Sequence, residues 1–134
     1  MLGASVFAAG YAHDLFAAGP SDPLPSGSKV LRQGSVLVTA NGQAANISVP
    51  KPATLTVDYN VEAGKELKMI VITDAQFQQI SAGRKITGEP VHGSLVSGVD
   101  STAIALSRGS FVLFFGIYQS GNTQLTYRAH YRYS

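Results

Sequence analysis

The chain has 134 residues, enough for one domain with a proper core. Hydrophobic residues make up 45% and charged residues only 13%, where about 25% charged is ordinary, so disorder is excluded. The net charge of +2 is too small to gather nucleic acid, and with no cysteine there are no disulfides, thiolate metal sites or cysteine nucleophiles.

The first segment, residues 1–19, is MLGASVFAAGYAHDLFAAG, apolar and rich in small residues. Leu2 to Ala12 has the look of the hydrophobic part of a secretory signal, with Gly10-Tyr11-Ala12 as a small-x-small cleavage site, but no Lys or Arg precedes it. Leu2, Val6, Ala9 and Gly10 share one helical face, and Leu15 with Phe16 forms a second apolar cluster. The segment reads as an arm that docks on a partner, with Val6, Phe7, Leu15 and Phe16 as its contact residues. Gly19 to Ser28, GPSDPLPSGS, holds three Pro and two Gly and reads as a linker. Residues 1–28 are therefore expected to be arm and linker, and residues 29–134 the folded domain.

From Lys29 onward the chain reads as strands. Val30 to Thr39 and Ala44 to Val49 flank Asn41-Gly42, a strong hairpin signal, which predicts the start of a meander. Leu55, Val57, Tyr59 and Val61 alternate with polar residues as in a half-buried strand. Leu67 to Thr73 follows the turn Glu62-Ala63-Gly64-Lys65. One helix is predicted over Ala75 to Ala82: Thr73 or Asp74 caps it, Gln76 completes a capping box with Thr73, Phe77 and Ile80 face inward, and Gly83 ends it. Arg84 to Gly98 is expected to be a loop with strand pieces near Ile86 and Leu95-Val96. Thr102 to Leu106, Phe111 to Tyr118 and Thr123 to Tyr133 complete about eight strands. With a single helix available for crossovers, the pattern predicts an all-β antiparallel sandwich of jelly-roll type.

The strand Met69 to Thr73 followed by DAQFQQISAGRK, and the closing hairpin GSFVLFFGIYQSGNTQLTYRAHYRY, resemble the second half of Golgi-dynamics-type and related bacterial extracytoplasmic β-sandwich modules. The likeness covers roughly residues 30–134 as a pattern. It implies a non-catalytic interaction domain in an extracytoplasmic setting, periplasmic or secreted, and carries no catalytic residues onto this chain.

Chemistry-bearing motifs are sparse. Gly64-Lys65 is followed by Glu66 where a phosphate loop has Ser or Thr, and neither Gly-x-Ser-x-Gly nor His-Glu-x-x-His occurs. Asp58, Asn60 and Glu62 have the spacing of a calcium loop, but the glycine falls one place late and Met69 stands where the closing acid belongs. The plainer reading is the outer face of a strand. His13, His92 and His130 lie in separate segments without a local ligand pair. No enzyme, cofactor or metal is expected.

Two features point to a partner. In the last strand, Leu125, Tyr127, Ala129, Tyr131 and Tyr133 share one face, while Thr126, Arg128, His130 and Arg132 share the other. Nucleic-acid stacking needs rings and cations on one surface, so the sequence favours tyrosines in the core and a solvated basic ladder outside. The other reading is an electrostatic contact, in which Arg128 and Arg132 meet an acidic protein patch, or a lipid headgroup in peripheral membrane association. Phe111 to Tyr118 is apolar on both faces, with Phe111, Leu113 and Phe115 in one row and Val112, Phe114 and Gly116 in the other. One row must face away from the core and needs cover. Phe111, Leu113 and Phe115, with Arg128 and Arg132, are the expected partner-binding residues of the domain, and the partner is expected to be protein, self or other. The alternative is a carbohydrate-binding module using Tyr118, Asn122 and Gln124.

Overall fold

The computed structural model describes residues 23–24, 26–118 and 121–133. The expected arm residues Val6, Phe7, Leu15 and Phe16 lie outside the described residues. Among the described residues eight strands form in chain order: β1 (Lys29–Val38), β2 (Gln43–Val49), β3 (Ala53–Val61), β4 (Leu67–Thr73), β5 (His92–Val96), β6 (Val99–Leu106), β7 (Gly109–Ile117) and β8 (Thr123–Tyr133). A helix, α1 (Asp74–Ser81), lies between β4 and β5.

The strands build two antiparallel sheets, sheet I in the order β1-β8-β3-β6 and sheet II in the order β2-β7-β4-β5. Consecutive strands alternate between the sheets at every connection but one, from β4 to β5, and that connection carries α1. This is the double Greek key of a jelly roll, so the expected all-β sandwich is the fold observed.

The predicted hairpin at Asn41-Gly42 is not one. The tight turn forms, with the Gly42 amide donating to the Thr39 carbonyl at 2.8 Å and Gly42 at φ +77°. Yet β1 pairs with β8 and β2 with β7, so the turn carries the chain between sheets. The turn residues fix the reversal, whereas pairing is decided by which sheet each strand's apolar row closes.

Alternation supplies the core. Leu55, Val57 and Tyr59 of β3, with Leu125, Tyr127 and Ala129 of β8, face Ile47 and Val49 of β2, Met69 and Val71 of β4, and Phe111, Leu113 and Phe115 of β7. The rings of Phe115 and Tyr127 meet with centroids 5.1 Å apart and planes tilted by 51°, joining the sheets at their central strands. Each large side chain so buried contributes about 1.5–3 kcal/mol.

Helix α1 starts as its capping box predicts: the Thr73 hydroxyl accepts from the Gln76 amide at 3.1 Å, and the Thr73 amide donates to Gln76 Oε1 at 3.0 Å. Its inward face differs from the expectation. Gln76 is buried, Phe77 is half-buried, and Ile80 is exposed. Gln76 Nε2 donates to the carbonyls of Thr87 at 3.1 Å and Glu89 at 3.0 Å, so one buried amide of the helix reaches two carbonyls of the following loop. No strand forms near Ile86, while Leu95-Val96 falls in β5.

Candidate functional site

The outer face of sheet II follows from the register. Strand β7 lies between β2 and β4, and its inward row is Phe111, Leu113 and Phe115. These three residues are sealed by their own chain and offer no surface to a partner, which corrects the expectation placed on them. Both rows of the strand are apolar, so composition alone could not choose the inward one. The outward row is Val112, Phe114 and Gly116.

Cover is uneven along that row. Val112 and its cross-strand neighbour Ile72 are fully buried where α1 packs on β4 and β7. Beyond the helix, Phe114 pairs across to Ile70 and both are half-buried, while Leu95 is 47% and Tyr118 53% exposed. Phe114 leans on the two glycines that make room for it: a Cβ on Gly42 would lie 2.3 Å from its ring, and one on Gly116 3.1 Å. Ala40, Lys68, Ile70, Phe114, Gly116 and Ile117 line an open depression of about 270 Å³, with Lys68 its only charged lining residue among those described.

The outer face of sheet I carries the opposite chemistry. Strands β3 and β8 pair with Asp58 opposite Arg128, and Thr56 opposite His130. Asp58 Oδ2 accepts from Arg128 Nη2 at 2.7 Å, Arg128 Nε at 3.1 Å and His130 Nε2 at 3.0 Å, while Oδ1 accepts from the Ser101 hydroxyl at 2.5 Å. Asp58, Arg128 and His130 are all buried. The faces of β8 divide as period two predicts, but the outer one is not a solvated ladder. Arg128 is locked to a carboxylate 70 residues away in sequence, and only Arg132 of the two arginines is exposed. Pairing explains the difference, since a charged group tolerates burial when an opposite charge and matched donors meet it.

The serine and the imidazole both meet the carboxylate. Ser101 reaches Oδ1 and His130 reaches Oδ2, so one carboxylate of β3 ties β6 to β8. The calcium-loop spacing is likewise taken up structurally: Asp58 is in the cluster, and Glu62 Oε1 accepts from the Gln124 amide at 2.9 Å. Among the described residues no group of three or more His, Cys, Asp or Glu is placed to hold a metal ion. His92 shares a hydrogen bond with Ser94 at 3.0 Å.

Alongside the cluster, Ser28, Thr54, Thr56, His130 and Arg132 line a smaller open depression of about 160 Å³. Sequence reasoning missed it. Its residues come from β3, β8 and the segment before β1, which only the pairing of those strands brings together.

No helix among the described residues is long and apolar enough to cross a membrane. No family model matches the chain, and no curated protein does. The Golgi-dynamics-type resemblance therefore rests on the residue pattern alone. One solved structure, described as a Bacillus endospore appendage from a family of disulfide-linked pili, aligns over 91% of this chain and 100% of that one, at 15% identity and a TM-score of 0.39. Similarity of that degree establishes no relationship.

Proposed function

We propose that this chain is a non-catalytic structural subunit of an extracytoplasmic protein assembly, associating through the outer face of sheet II and the apolar segment 1–19. The observation that carries the reading is the uncovered end of the apolar row beyond α1. Phe114 and Ile70 are only half-buried there, and Leu95 and Tyr118 stand out on the same side. A contiguous apolar face with one lysine beside it suits burial against another protein. The Asp58 cluster suits a structural role, because its carboxylate is saturated with donors.

The native mass of the full chain tests this, measured by sedimentation equilibrium over a range of concentrations. Self-association is the expected result, weakened about tenfold or more by Leu95→Asp, which alters a half-exposed side chain and leaves the fold intact. Deleting residues 1–28 should weaken it independently. A full chain that stays monomeric, and forms no crosslinks to any neighbour when taken from its native source, overturns the proposal.

A further inference from the structure

We infer that the depression between β3, β8 and Ser28 on the outer face of sheet I is a binding site for a tetrahedral oxyanion, a phosphate or sulfate group. The strongest sign is His130. Its side chain is buried to 3% exposure, its Nε2 is occupied by Asp58, and its Nδ1 has no hydrogen-bond partner among the described residues although the ring lines the cavity. A buried ring nitrogen without a partner is costly unless something that enters the cavity satisfies it.

The remaining lining supplies what an oxyanion takes. Thr56 is directly opposite His130, and Thr54 directly opposite Arg132, on the same outward face, which holds each pair of Cβ atoms about 5 Å apart. The hydroxyls of Ser28, Thr54 and Thr56 have no side-chain hydrogen bonds of their own among the described residues. Arg132 is exposed, its Nη1 donates to the Ser26 carbonyl at 3.5 Å and its aliphatic stem passes beside Gly27, and its guanidinium makes no other hydrogen bond among the described residues, leaving its remaining N–H groups to a ligand. A planar fork of donors beside hydroxyls is the arrangement that recognises phosphate oxygens.

Charge agrees. No carboxylate lines the cavity among the described residues, Asp58 is neutralised by Arg128, and Lys51 lies over the neighbouring Tyr133 ring at 4.4 Å. As imidazolium the His130 ring donates from Nδ1 to phosphate or sulfate, and as the neutral ring it accepts from a protonated phosphate oxygen, an arrangement open to phosphate alone. A volume near 160 Å³ holds one such group with attendant water.

Titration of the full chain with sodium phosphate, sodium sulfate and sodium acetate at matched ionic strength, followed by 15N NMR, tests the assignment. Saturable binding of phosphate and sulfate is expected, with movement of the His130 Nδ1 and Arg132 side-chain resonances and acetate at least about tenfold weaker. Arg132→Gln should lower phosphate affinity about tenfold or more and Thr56→Val a few fold, both with unchanged amide spectra elsewhere. Cosedimentation with phosphatidylcholine vesicles containing phosphatidic acid, reversed by free phosphate, would assign the group to a lipid headgroup, and phosphate binding without cosedimentation would assign it to the free ion. Absence of saturable shifts at these nuclei, equal affinity for acetate, or undiminished phosphate binding by Arg132→Gln overturns the inference.

Discussion

Asp58 shows how far one side chain's meaning depends on partners distant in sequence. Read along the strand, it is one polar residue in an alternating series. Folded, it is the common acceptor for Arg128, His130 and Ser101. Removing it takes from the buried Arg128 guanidinium its 2.7 Å carboxylate and from His130 its acceptor, so Asp58→Ala should cost about 3–5 kcal/mol in urea unfolding. Replacing Asp58, Arg128 and His130 together with apolar residues of similar volume should recover most of that loss. If the single substitution costs less than about 1 kcal/mol, the cluster does not stabilise the fold in this way. Period two was enough to put Arg128 and His130 on the outward face of β8. It could not reveal their burial, because the deciding carboxylate belongs to another strand.

Among the elements, α1 was the most readable, and Gln76 explains why part of it was not. Its place in the capping box is a local signal, three residues from Thr73. Its grip on the carbonyls of Thr87 and Glu89 is not, since backbone acceptors in a loop leave no mark on composition. The same glutamine therefore joins the helix start to the loop that follows, and Gln79 adds two contacts with Thr87, an amide to its hydroxyl at 3.0 Å and its oxygen to the Thr87 amide at 2.8 Å. Gln76→Ala should loosen residues 82–91 while the sheets remain intact. In hydrogen exchange, protection should fall at the Thr87 amide and through the first turn of the helix, and hold in β3, β7 and β8. Unchanged exchange at Thr87 would show that the loop is held by other means. The inward row of β7 was hidden for a different reason: its two rows are almost equally apolar, and Gly116, by leaving space for the Phe114 ring, lets the outer row pass half-covered.

At the scale of the whole molecule, the two sheets close around tyrosines as well as aliphatic side chains. Burial pushes the phenol of Tyr59 above its ordinary value of 10.0, with a nearby Asp100 adding to the shift and a hydrogen bond from Thr102 opposing it. Burial likewise raises Tyr127, against the pull of Arg32. For both groups the folded state favours the neutral phenol over the unfolded chain. Their stabilising contribution is thus complete below pH 10 and is lost as the pH rises through their raised folded values. Urea midpoints should hold from pH 7 to 9 as far as these tyrosines are concerned and fall above 10, with tyrosinate absorbance of the two residues appearing together with unfolding. Ionisation of both rings in a chain that stays folded would contradict their placement. The class of fold was legible because turn residues and alternation recur along the chain. Its connectivity was not: β1 finds β8, and β2 finds β7, across nearly the full length of the domain, and no local pattern records such distant pairing.

Lys29, the first residue of β1, is paired with Tyr131, two positions before the end of β8. The domain's entrance and exit thus share one corner of sheet I, and cargo fused upstream of β1 or downstream of β8 would be presented from a single pole. A short peptide could join the two ends, and the chain could be reopened at the exposed Ala63-Gly64 bend without cutting either sheet.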